Sequence, residues 1–207
     1  MQISNMPSGM LGVNTYFVAD EEAKKAFLVD PGGWSPEMKA HVLSSGAELA
    51  AVILTHGHAD HIMGVPAVLA DFPGVEVVAH EQERDMLSDT GFNMSEQFGS
   101  PTVVEPDRCV REGDTMTIGG MELTFLFTPG HTPGGLCIYM EKEGVLFSGD
   151  TLFQASIGRT DFPGASFPVL AESIHNKLWS LPDDTRVLPG HMGPTTIGFE
   201  KEHNPFV

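Results

Sequence analysis

The chain has 207 residues, 41% of them hydrophobic, and sets 11 basic against 28 acidic side chains for a formal net charge of −17. That balance excludes nucleic acid and anionic membrane surfaces as partners, because both are bound by Lys and Arg. With no run of about 18 apolar residues and no basic leader ahead of an apolar stretch, a cytoplasmic protein folding as one domain over residues 1–207 is expected.

Residues 14–19 and 26–30 read as a hairpin with acids 20–22 at its turn, ended by Pro31, Gly32 and Gly33. Ser35 as N-cap and Pro36 in the first turn open a helix that runs to about Ser45 and stops at Gly46. Residues 49–54 are continuously apolar, the pattern of a strand buried on both faces. A helix over 65–72, a strand over 75–79 and a charged helix over 80–88 follow, then an irregular stretch over 89–108. Strands are predicted at 121–127, 136–140, 145–147 and 185–188. A helix over 167–181 carries Val169, Leu170, Ile174, Leu178 and Trp179 at roughly helical spacing. With 23 glycines and 15 prolines the chain is rich in turns, and two packed sheets with outer helices satisfy the pattern.

The histidines carry the chemistry. His56, His58 and His61 stand with Asp60 in one short run, and His131, Asp150 and His191 follow at long range. Each group comes directly after a predicted strand, so a rigid scaffold can gather them at one sheet rim. Neither Cys109 nor Cys137 belongs to the pattern, and two cysteines make no disulfide framework, so both are expected reduced and packed. Imidazole mixed with carboxylate suits Zn, Fe or Mn. Seven ligands are too many for one tetrahedral ion. Shared between two divalent ions they leave one carboxylate to bridge, and Asp150 is the candidate.

The run from His56 to His61 with His131, Asp150 and His191 resembles the metallo-β-lactamase superfamily, which implies an αββα sandwich of the mixed α/β class. Gly149 to Phe153, Gly158 to Pro163, Thr196 to Gly198 and Asn204 to Phe206 resemble the glyoxalase II-like branch, especially its short bacterial form. The resemblance implies His56, His58 and His131 on one metal, Asp60, His61 and His191 on the other, and Asp150 between them. It also implies hydrolysis of hydroxyacyl-glutathione thioesters, with zinc as the first choice of metal. Only 16 residues follow His191, so the C-terminal helical segment that contacts glutathione in the full-length family is expected to be missing.

In that reading a bridging hydroxide, formed because bound metal makes water acidic, attacks the acyl carbonyl, with Asp60 and Asp150 as the catalytic carboxylates. A thiolate leaves with little need for a proton, whereas an amine needs a donor, so β-lactam cleavage ranks low. The same ligands also match a persulfide dioxygenase holding one iron on His56, His131 and Asp150, though Ala155, Ser156 and Ile157 ahead of Gly158 look more like the hydrolase branch. A lactonase, or a non-catalytic metal-binding protein, completes the alternatives. Arg159 faces either an acidic substrate tail or Asp161 as a loop-fixing ion pair, the second being preferred. Phe153, Phe162 and Phe167 are candidate pocket walls, while His41, His80, His175, His203 and Tyr16 read as structural.

Overall fold

Strands β1 (Gln2–Ser8), β2 (Val13–Asp20) and β3 (Lys25–Val29) open the computed structural model, which describes all of residues 1–207, as an antiparallel meander. Helix α1 (Pro36–Ser44), capped by the Ser35 hydroxyl on Met38 N, then carries the chain to β4 (Glu48–Ile53), parallel to β3. Two short helices, α2 (Ala59–Ile62) and α3 (Val65–Asp71), lead to β5 (Glu76–His80), and α4 (Arg84–Ser88) leads on to β6 (Arg108–Val110), both strands parallel to their neighbours. These six strands form the first sheet, in chain order.

The second sheet begins with the antiparallel ladder β7 (Thr115–Ile118), β8 (Met121–Phe127), β9 (Leu136–Met140) and β10 (Val145–Gly149). A small hairpin, β11 (Leu152–Phe153) and β12 (Ser156–Ile157), projects from it. Helix α5 (Phe167–Ser173) runs into a wider π turn ending at Leu178, and β13 (Arg186–Pro189) pairs parallel to β10. The edge strand β14 (Thr195–Thr196) and helix α6 (Ile197–His203) finish the chain.

Side-chain alternation explains the layering. On β2 and β3, Tyr16, Val18, Phe27 and Val29 face the second sheet, while Phe17, Ala19, Ala26 and Leu28 face the helices. Between the sheets, Phe147 packs 5.2 Å from Tyr16 and 6.3 Å from Phe27, centroid to centroid. Val42, Val65, Val68 and Leu87 cover the first sheet; Leu170, Ile174, Leu178 and Ile197 cover the second. The result is the expected αββα sandwich.

Eight elements were not expected: β1, β6, β7, β14, α2, α6 and the two strands of the β11–β12 hairpin. The first three are polar or short edge strands, whose pairing is fixed by their neighbours rather than by their own composition. Val169 and Phe167 point outward from α5, at 39% and 45% exposure, so the helical face there is narrower than its apolar spacing implies. Residues 89–108 are irregular, as expected, and are held by buried Asn93, Ser95 and Thr102, which bond one another's side chains and backbone. Both cysteines are free; Cys137 is buried, whereas Cys109 is only half-buried and receives the Arg84 Nε–H at 3.0 Å.

Candidate metal centre

All the expected ligand groups lie at one end of the sandwich. β4 delivers His56 and His58 through Leu54 and Thr55, and the short helix α2 adds Asp60 and His61 one turn later. β8 leads to His131, β10 to Asp150 and β13 to His191. Glycine is required where these loops cross: a Cβ on Gly190 would stand 2.4 Å from Asp150 Oδ1 and 2.6 Å from His61 Cε1.

Ligand atoms of His56, His58 and His131 lie within 4.8 Å of one another, as do those of Asp60, His61 and His191. Asp150 stands between the two groups. Its Oδ1 is 3.4 Å from His61 Nε2, and its Oδ2 is 3.6 Å from His131 Nε2 and 3.8 Å from His191 Nε2. The seven predicted residues therefore converge as two trios with one shared carboxylate.

The two trios differ in charge. Burial and then neighbouring histidines hold His56 well below the usual imidazole range, and push His58 down to about 3. Burial lowers His131 as well. All three therefore keep a free lone pair at neutral pH, the state a metal ligand needs. At His61 burial also opposes charge, but Asp150, Asp60 and Asp30 outweigh it and raise the imidazole well above its usual range. A hydrogen bond to Asp60, at 3.1 Å, raises His191. A positive charge is thus favoured among the carboxylates, and neutral imidazoles stand beside it.

His56 Nε2, His61 Nε2 and Asp150 Oδ1 are buried without a hydrogen-bond partner. Buried polar atoms without partners are rare. Three of them within one cluster, on residues of metal-binding chemistry, fit divalent cations.

Several residues outside the expected set hold this arrangement. Asp30, buried at the end of β3 with φ of 48°, accepts from Thr55 N at 2.7 Å, from the Thr55 hydroxyl, and from His61 Nδ1 at 2.9 Å. It also lies near His56, but three donors already occupy its carboxylate, which orients His61 instead. Glu83, buried, accepts from Gly57 N at 2.8 Å and from Gly134 N at 2.6 Å, and burial pushes its carboxyl up to about 7. It ties the His56–His58 loop to the loop after His131. From the first sheet, Asn14 Nδ2 donates to the carbonyls of Pro189 and Met192, and the Tyr16 hydroxyl to Pro189 O at 2.8 Å. Tyr16 is a core residue, as expected, with this anchoring bond in addition. No ligand-type spacing marks any of these residues; the only signal is an acid at a strand end before Pro31.

A cavity of about 340 Å³ opens onto the trios, with Asp60, Asp150, His58, His131 and His191 on its floor and side. Phe153, Phe162 and Arg159 also line it. Phe167 does not, because it faces solvent from the first turn of α5. Arg159 pairs with Asp161 through two bonds of 2.9 and 2.7 Å, and its guanidinium lies 4.2 Å from the Phe162 ring centroid. Its carbonyl also accepts His131 Nδ1–H at 2.8 Å, so this loop positions a candidate ligand histidine. The remaining histidines lie outside both trios: His41 bonds Ser4, His80 stacks on Phe127, His175 packs edge-on to Trp179, and His203 bonds Phe199 O. A larger, more open groove of about 630 Å³ beside α1 holds no second cluster of ligands.

The family profile of the metallo-beta-lactamase superfamily matches residues 8–191, and the chain belongs to that family. A Bacillus subtilis protein named "Probable metallo-hydrolase YqgX" is 36% identical over 100% of this chain and 98% of its own length. "Hydroxyacylglutathione hydrolase GloC" of Haemophilus influenzae is also 36% identical, over 100% of this chain and 98% of its own. Among solved structures, the BLEG-1 B3 metallo-β-lactamase superposes with a TM-score of 0.92 at 40% identity, covering 99% of both chains. TTHA1623 in a di-iron-bound form gives 0.86 at 34% identity, covering 99% of this chain and 100% of its own. The His/Asp cluster and the di-iron relative together support a dinuclear metal site. No helix is long and apolar enough to cross a membrane.

Proposed function

We propose that the protein is a metal-dependent thioester hydrolase of the glyoxalase II-like branch, acting on hydroxyacyl-glutathione-type thioesters. One observation carries the reading. Apart from the ligand groups, the cavity is lined by apolar side chains and Arg159 alone, so nothing there can hand a proton to a poor leaving group. A thiolate needs none. The likeness to GloC supports the same branch.

In this reading His56, His58 and His131 hold one divalent ion, Asp60, His61 and His191 the other, and Asp150 serves both. Zinc is the preferred metal, with iron or manganese compatible with the same donors. When bound, such ions supply Lewis acidity and lower the pKa of water toward about 7. The protein supplies the rest. The neutral imidazoles of His56, His58 and His131 present lone pairs without first losing protons, whereas His61 and His191 would give up a proton as the second ion binds; Asp30 and the Arg159 carbonyl fix the rings of His61 and His131. Asp60 and Asp150 would offset part of the ions' charge at the floor, and Phe153 and Phe162 border the space in which the acyl carbonyl would sit.

The test combines metal analysis of the purified protein with assays on S-lactoylglutathione and, at an oxygen electrode, glutathione persulfide. Thioester loss with about two metals per chain is expected; oxygen uptake with one iron per chain would overturn the reading. The likeness to BLEG-1 favours a second reading, β-lactam opening. A turnover of nitrocefin faster than that of S-lactoylglutathione would establish it.

A further inference from the structure

The apolar lining of the cavity differs from the floor. Leu11, Met94, Phe98 and Met192 meet there, from the β1–β2 turn, the irregular stretch after α4 and the loop after β13. Leu11 is 56% exposed and Met192 62% exposed, large apolar side chains left in water at the mouth of the site. Met94 and Met192 also adopt left-handed backbone, with φ of 70° and 66°. Glycine takes such angles freely, and a residue with a Cβ is strained there. Both positions carry long, flexible thioethers instead, and both thioethers border the cavity.

Charge points the same way. Arg159 is the one lysine or arginine among the 13 lining residues, and Asp161 already takes two of its donors. The protein around it carries −17. A glutathione arm, with two carboxylates and one ammonium, is a net anion, and a coenzyme A arm carries more phosphate charge still; away from the floor that would hold the ions, neither meets a lysine or arginine other than Arg159. An uncharged apolar arm finds adaptable sulfur and aromatic surface.

Resting on the thioester chemistry of the reading above but departing from its glutathione arm, we propose that this wall binds the apolar, uncharged arm of the substrate, so that the preferred class is thioesters of neutral apolar thiols. Leu11, Met94, Phe98 and Met192 are then the specificity-determining residues.

The experiment compares kcat/KM for lactoyl thioesters of ethanethiol, butanethiol and hexanethiol with that for S-lactoylglutathione, using the metal-loaded enzyme. The three alkanethiols have nearly the same acidity, so any trend reports binding of the chain rather than departure of the thiolate. We expect kcat/KM to rise by about threefold per added methylene, near the value for burying a CH₂, mainly through KM, and the hexyl ester to exceed the glutathione ester. Met192→Gly and Met94→Gly should keep or raise the melting temperature, because glycine relieves the left-handed strain, and should flatten the chain-length trend. A flat trend in the wild type, or a glutathione ester hydrolysed faster than every alkyl ester, overturns this inference and leaves thioester hydrolysis standing. Hydrolysis of none of the four sinks the thioester reading, and this inference with it.

Discussion

Single side chains decide how the site is charged. Asp150 faces both trios, so Asp150→Ala should remove at least one metal per chain and lower kcat by several orders of magnitude; full metal content with an undiminished rate would exclude the shared role. Asp30→Ala tests a residue that the ligand pattern does not mark. It strips three buried donors of their acceptor, at a cost of about 1–3 kcal/mol. It also frees the His61 ring, so metal affinity should fall by about 10- to 100-fold, as equilibrium dialysis against a chelator would read. Arg159→Ala should do little to stability, since the pair with Asp161 is largely exposed and such pairs contribute about 0–1 kcal/mol. A rise of more than about tenfold in KM for S-lactoylglutathione would show that Arg159 grips an anion after all. The ligands were legible because His and Asp repeated at strand ends have few other uses. Asp30, Glu83 and Asn14 were not, because one acid or amide in an ordinary stretch becomes meaningful only when its partners, tens of residues away, are brought to it.

Elements were legible in proportion to how far burial, rather than pairing, shapes them. β4 is apolar throughout because helices cover one face and the second sheet the other, so its run of Leu, Ala, Val and Ile announces it. β1 and β6 hang on the edges of the same sheet and are strands only because β2 and β5 offer them ladders. The bracing of the His56–His58 loop against the loop after β8 shows the same limit, for it passes through the one carboxylate of Glu83. Burial raises that group from 4.5 in the unfolded chain to about 7 in the folded one. The folded state therefore holds the proton more tightly. The stability this gives is complete below about pH 4.5 and is lost as pH rises through about 7, an effect on the order of 3 kcal/mol. Glu83→Gln cannot titrate. Denaturant unfolding of both proteins from pH 4.5 to 8 should show the wild type losing stability relative to the variant, with most of the loss between pH 5 and 7. Parallel stability curves would mean that Glu83 is ionised throughout.

Across the whole molecule, the metal centre joins the end of β4 in one sheet to the ends of β8, β10 and β13 in the other. Two forces therefore hold the sheets together, and their sizes differ. The inter-sheet core contains 18 buried side chains, Phe27, Phe125 and Phe147 among them, each worth about 1.5–3 kcal/mol when fully buried. Metal adds only what binding to the folded state contributes by mass action, about 4 kcal/mol for each of two ions at a free concentration of 1,000 times Kd. The core should dominate, so the metal-free protein should remain folded, unlike a zinc finger. Stripping both metals with a chelator is accordingly expected to leave far-UV circular dichroism unchanged and to lower the melting temperature by about 16–32 °C, taking roughly 2–4 °C per kcal/mol for a chain of this size. The same treatment of Asp150→Ala should move the transition much less, because part of the centre has already been lost. Loss of secondary structure on chelation would show that the apolar interior does not suffice to hold the two sheets. An unmoved transition in the wild type would show that the histidines and acids at the rim share no ion, and that their convergence serves the fold alone.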